Sequence, residues 1–178
     1  MLVRRAPTGN RLFRITKGRV RVMRMGQAVE WTLHSCLNLA WVGEPVSAAR
    51  LAGIYELPAP YLNKQLQALV KAGVLESVPG PRGGFHLARP VAEITLLDVV
   101  VAVEGREEAF RCTHILRKGP GGDPDLDYSS VCAVSRSMRQ AELAWRRELA
   151  SRTIADVSDD VVRHSPEAPE RVREALKR

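Results

Sequence analysis

The sequence predicts a mainly α chain with a small β-wing: a winged helix-turn-helix domain followed by a long dimerisation helix. Three observations predict it. Residues 61–87 read as a helix, a strand, a glycine-rich turn and a second strand. Leu62, Leu66, Leu69 and Val70 share one helical stripe, and Gly73 stands where a left-handed cap is wanted. Segments 74–78 and 85–87 flank Pro79, Gly80, Pro81, Gly83 and Gly84, the composition of a hairpin tip. A short helix ending near Tyr55 is joined to this unit by a tight Leu57-Pro58-Ala59-Pro60 link. Finally, Val131, Val134, Met138, Ala141, Trp145 and Leu149 alternate at spacings of three and four, a narrow seam like that of a coiled coil.

In chain order, residues 1–24 form a basic extension. They hold Arg4, Arg5, Arg11, Arg14, Lys17, Arg19, Arg21 and Arg24 and no acid, which leaves 19 bases against 20 acids in the rest. The net charge of +7 therefore says nothing about the folded body. The extension could add phosphate contacts as an arm, but we read it as an untranslated leader, because Met23 and Met25 offer internal starts. A helix over 30–42 follows from the spacing of Leu33, Leu37, Ala40 and Trp41, and Gly43 can end it. Ser47 can cap the next helix, which carries Leu51 and Ile54, and the helix-turn-helix with its wing occupies 46–88. Thr95 and Asp98 open a helix, apolar almost all round and so expected to be buried, which Gly105 stops. The domain thus spans 25–105. A loop over 106–130 contains Lys118-Gly119-Pro120-Gly121-Gly122, and Ser129 or Ser130 can cap the dimerisation helix, in a segment running 131–157. Residues 158–178, with Asp159, Asp160, Pro166 and Pro169, look like a weakly ordered, flexible tail.

Several function classes drop away. No apolar run approaches the roughly 20 residues of a membrane span. The basic N-terminal stretch lacks an apolar core followed by a small-residue cleavage site. Three widely spaced cysteines make no disulfide scaffold, so a cytoplasmic, reducing setting fits best. What remains is a polar, cationic helix beside a basic hairpin, the layout that reads double-stranded DNA. The helix over 60–72 would enter the major groove with Asn63, Lys64, Gln67 and Lys71 toward bases or phosphates. Tyr61 would meet a phosphate at its start, and Arg82 on the wing would reach the adjacent minor groove. A homodimer built on the 131–149 seam suits a palindromic operator. An intramolecular core helix would show the same periodicity.

Glu30 and His34 lie one helical turn apart, on the side of Leu37 and Trp41, where a carboxylate is costly unless paired or ligated. Cys36 points away from them and reads as a packing residue. The loop between Cys112 and Cys132 is flexible enough to bring both sulfurs together, so Glu30, His34, Cys112 and Cys132 could hold a metal. From donor chemistry alone, zinc and an iron–sulfur cluster fit equally well.

Residues 29–104 are similar to the winged-helix regulators typified by IscR, NsrR and RsrR. The matching residues are Tyr61-Leu62, the 67–74 run QALVKAGV, the run Gly83-Gly84-Phe85-His86-Leu87-Ala88-Arg89-Pro90, and the 94–105 run ITLLDVVVAVEG. Similarity runs on to Thr153-Ile154-Ala155-Asp156-Val157. The Val-Glu-Trp-x-Leu-His pattern from Val29 to His34 most resembles the redox-sensing RsrR branch. That resemblance implies a 2Fe–2S cluster on Glu30, His34, Cys112 and Cys132, with Glu and His from one subunit and the cysteines from the other. We read the chain as a repressor whose DNA affinity follows cluster oxidation state, with Trp31, next to Glu30, as a candidate for repacking in the switch. The chain departs from the family at Pro58, where a serine cap is common, and in its 24-residue extension.

Rival readings keep the DNA-binding role with a Cys112/Cys132 thiol–disulfide switch or a zinc site. A metalloenzyme with Glu30 as base and His34 as ligand would need a second helical histidine, and Leu37 and Asn38 stand there instead. No nucleophile elbow, phosphate loop or dinucleotide fingerprint appears, so we read the chain as no enzyme.

Overall fold

The computed structural model describes residues 25–123, 125–128 and 132–177. The basic extension over 1–24, and Ser129, Ser130 and Val131, lie outside the described residues. Helix α1 spans Gln27–Val42, three residues earlier than the apolar spacing alone suggests, and Gly43 (φ 72°) closes it by donating to the Leu39 carbonyl at 3.0 Å. Helix α2 spans Ala48–Gly53, with the Ser47 hydroxyl accepting from the Arg50 amide at 3.3 Å. Helix α3 spans Ala59–Lys71, with Pro60 in its first turn, where a missing N–H costs nothing.

Strands β1 (Leu75–Val78) and β2 (Gly84–Leu87) pair antiparallel, Leu75 opposite Leu87 and Val78 opposite Gly84. Val46 adds a third rung to this wing, exchanging both backbone hydrogen bonds with Phe85 at 3.0 and 2.8 Å. That approach explains Gly84: a Cβ there would sit 2.3 Å from the Val46 carbonyl carbon. The wing is thereby fixed to the entry of α2 as well as to the end of α3.

Helix α4 spans Leu96–Glu104 and starts in a complete capping box. The Thr95 hydroxyl accepts from the Asp98 amide at 3.1 Å, and the Asp98 carboxylate accepts from the Thr95 amide at 3.0 Å. Partial burial works to raise the Asp98 carboxyl, but the Thr95 hydrogen bonds and the Arg89 guanidinium outweigh it and hold it below its usual range. Only Val99 and Val100 of α4 are buried, so its other apolar residues are half-exposed, short of the burial that composition predicts.

Helix α5 spans Ala133–Ser151 and takes Cys132, not a serine, at its cap position. Its own chain buries Ser135 and Glu142, the polar side. The predicted seam faces outward: Val134 is 64% exposed, Met138 and Ala141 are exposed, and Trp145 and Leu149 are half-buried. The chain's own core does not cover this stripe.

The expectation of a flexible tail over 158–178 does not hold among the described residues. Helices α6 (Ile154–His164) and α7 (Ala168–Lys177) occupy that stretch and pack on α1. Leu176 is 1% exposed, and the Arg173 guanidinium donates to the Trp41 carbonyl at 2.9 Å, close to the negative end of the α1 dipole. The Trp41 indole donates to the Ser158 hydroxyl at 2.9 Å. The prolines misled because Pro169 falls in the first turn of α7, where it is tolerated, and Asp160 is engaged by Arg152 and Arg163.

One core runs through α1, the helix-turn-helix, the wing and the C-terminal helices, from Leu37, Leu39, Val46 and Leu51 through Leu62, Leu66, Leu69 and Phe85 to Ile94, Ile154 and Leu176. Among the described residues, no helix is long and apolar enough to cross a membrane.

Candidate nucleic-acid interface and ligand face

Helix α3 sorts its residues by face. Leu62, Leu66 and Leu69 are fully buried against α2 and α4, which fixes the rotation of the helix. The opposite face then presents Asn63, Lys64, Gln67 and Lys71, all exposed. Arg82 is exposed at the hairpin tip, next to Gly83, whose Cβ position would meet the Val78 carbonyl oxygen at 2.0 Å. Tyr61, at the start of α3, is 46% exposed and stands edge-to-face against Trp31 of α1, ring centroids 5.5 Å apart at 84°.

Helix α1 carries the predicted ligand pair. Glu30 and His34 are both exposed, and among the described residues neither side chain makes a hydrogen bond or ion pair. Exposure revises the expectation that Glu30 sits against the apolar stripe: Leu37 is buried, while Glu30 points outward from the first turn. A recess lined by Glu30, Trp31, His34, Tyr55 and Leu57 lies between α1 and the turn joining α2 to α3. A second recess, lined by Met25, Val29, Glu30, Leu33 and His34, opens on the other side of the pair.

Cys112 and Cys132 are half-buried free thiols. Within one chain, and among the described residues, no three histidine, cysteine or acidic side chains gather around a common point, so the structure does not bring the four predicted ligands together. Cys36 is fully buried, and burial pushes its thiol up to about 12, in keeping with a packing role.

Residues missed by periodicity tie the cysteine segment down. Glu142, only 6% exposed on α5, accepts from the Ala109 amide at 3.1 Å and from Arg146 Nε at 3.0 Å. Arg146 also donates to the Arg106 carbonyl at 3.2 Å. The spacing of Glu142 and Arg146, four residues apart on one helix, was the available signal.

A family model described as an iron-dependent transcriptional regulator, Rrf2, matches residues 25–160. The chain belongs to the Rrf2 family. BadM of Rhodopseudomonas palustris, described as an HTH-type transcriptional regulator, is 37% identical over 148 residues, covering 83% of this chain and 90% of BadM. YwgB of Bacillus subtilis, described in the same terms, is 37% identical over 101 residues, 57% of this chain and 61% of YwgB. Two solved folds are similar: CymR, the global cysteine regulator of B. subtilis (TM-score 0.58, 21% identity, 78% of this chain and 98% of CymR), and T. potens IscR (TM-score 0.57, 23% identity, 80% and 91%). The protein is therefore an Rrf2-type, DNA-binding transcriptional regulator of winged-helix fold.

Proposed function

We propose that this Rrf2 regulator is a cytoplasmic homodimeric repressor of a palindromic operator, whose DNA affinity follows the oxidation state of a 2Fe–2S cluster. Glu30 and His34 of one subunit and Cys112 and Cys132 of the other would hold it. The carrying observation is the state of the α1 pair: a carboxylate and an imidazole one turn apart, exposed and, among the described residues, in no hydrogen bond or ion pair, beside an aromatic contact to α3. The donor set suits the group, since clusters tolerate non-thiolate ligands in place of two cysteines. The family description as iron-dependent points the same way. The outward apolar stripe of α5 supplies the dimer surface, consistent with ligands drawn from two subunits.

When bound, the cluster supplies a one-electron couple. The chain's residues supply the coupling. With the cluster bound, Glu30 and His34 would tie α1 to the cysteine loop of the other subunit, and Trp31, between them in sequence, bears on Tyr61 at the entry of α3. A shift of α1 along its axis would move the Trp31 ring against the Tyr61 ring and re-aim the face carrying Asn63, Lys64, Gln67 and Lys71. Arg82 on the wing sets the register on the duplex.

The second reading, a Cys112/Cys132 thiol switch or a zinc site, draws on both cysteines being free thiols. Anaerobic purification of the full chain with iron and acid-labile sulfide analysis separates the two. Near two irons and two sulfides per cluster, lost in Cys112→Ala and Cys132→Ala, supports the proposal. Zinc, or metal-free thiols, refutes it and leaves the regulator with a different signal.

A further inference from the structure

Tyr55 lies in the turn between α2 and α3, and its side chain runs along α1. Its ring faces the His34 imidazole with centroids 5.9 Å apart at 55°, and its hydroxyl pairs with the Asn38 side-chain amide at 3.0 Å. Asn38 follows His34 by one helical turn on the same face and is 1% exposed. The phenol is thus held at both ends, by a buried amide and by the imidazole ring. A buried amide without that hydroxyl would keep unmet hydrogen-bonding groups, so Asn38 fixes where the Tyr55 ring stands.

The backbone behind Tyr55 is equally constrained. The Tyr55 and Leu57 amides both donate to the Ala52 carbonyl, at 3.2 and 2.9 Å, and Glu56 between them is held at φ 53°, a conformation that non-glycine residues seldom adopt. The backbone of the turn is therefore tied to the end of α2 by two hydrogen bonds. Helix α1 touches it through Tyr55 on one side and, through Trp31, touches Tyr61 on the other.

We infer that Tyr55 is a positioning residue for His34: it sets the imidazole's orientation on α1 and joins that ring directly to the helix-turn-helix turn. This deepens the proposed cluster ligation and rests on it for its regulatory consequence, but the positioning itself is a property of the metal-free chain. With Trp31 it makes a two-point mount, so a displacement of the ligand face tilts the turn where a single contact would let it slide.

The test uses the full chain as wild type, Tyr55→Phe and Tyr55→Leu, with His34→Gln to assign the histidine signals. Thermal melts establish that each variant folds; Tyr55→Phe keeps the ring and serves if Tyr55→Leu does not fold. In metal-free protein, ring proton signals of His34 shift in Tyr55→Leu, which removes the phenol's ring current. In Tyr55→Phe the Asn38 side-chain amide signals move and the His34 signals broaden. Unmoved His34 signals in folded Tyr55→Leu, or His34 signals as sharp as in wild type in Tyr55→Phe if that alone folds, overturn the positioning role. In anaerobically prepared protein, both variants load iron and sulfide as wild type does but change the g-values of the reduced form. The ratio of operator affinities between oxidised and reduced protein falls about fivefold toward unity, within the usual range of coupling between sites. Wild-type g-values and ratio in iron-loaded variants overturn the coupling. A wild-type protein that holds no iron or sulfide sinks the cluster reading alone, because the metal-free spectra decide the positioning separately.

Discussion

Replacing Glu142 by alanine tests how the loop leading to Cys112 is held. The carboxylate is nearly sealed from solvent and accepts two hydrogen bonds, from the Ala109 amide at 3.1 Å and from Arg146 at 3.0 Å. Its partner Arg146 is itself three-quarters buried, so screening is weak at this pair. Each hydrogen bond to a charged group contributes about 1.5–3 kcal/mol. Arg146 keeps the Arg106 carbonyl as an acceptor, which puts the loss at the low end, about 3 kcal/mol. For a chain of this size that is about 6–12 °C in Tm. Glu142→Gln retains an acceptor for the Ala109 amide and should lose about half as much. Urea unfolding at fixed protein concentration measures the energies, and amide exchange at Ala109 reports the loop locally. Glu142→Ala within about 1 kcal/mol of wild type, with unchanged exchange at Ala109, would refute the argument that this acid anchors the segment.

Four further outcomes are expected. The lowered Asp98 carboxyl contributes stability that is fully present above the ordinary carboxylate range and is lost as pH falls through its lowered value. The Tm gap between wild type and Asp98→Asn should therefore be widest near neutrality and close on acidification below about pH 4. Lys64→Ala should weaken operator and non-operator DNA alike and flatten the log–log salt slope by about 0.9, measured by fluorescence anisotropy. A thiol reagent at neutral pH should titrate two cysteines in native protein, with Cys36 appearing only on unfolding. Gly84→Ala should cost about 1–3 kcal/mol in chemical unfolding, because its methyl has no room against the Val46 backbone.

Local signals were the legible ones. The Thr95–Asp98 capping box, the Leu62, Leu66, Leu69 stripe and the hairpin glycines each speak within a few residues of themselves, and each element stands where that signal puts it. What failed was long-range. Nothing near Leu176 announces that its side chain is buried in the core behind α1, and two prolines and a run of acids hid helices α6 and α7. Along α1, helical spacing put Glu30 one turn from His34. It could not tell that Glu30 faces outward, because the period fixes relative direction and the core that sets absolute direction includes α7. Asn38 and Tyr55 went unread for a related reason: a buried amide and a phenol 17 residues apart share no period.

The pairing of the first described helix with the last has a consequence for biosynthesis. Trp41 and the arginine that holds its carbonyl are 132 residues apart in the chain. At ordinary translation speeds α1 waits on the order of ten seconds for α7. During that interval the helix-turn-helix and wing can assemble on one side of α1 while the other side, including the pocket for Leu176, stays bare. Helix α1 reaches its final seat only after α7 has emerged. A ribosome that stops short of α7 releases a chain whose helix-turn-helix and wing can already assemble, while α1 is still without its last support.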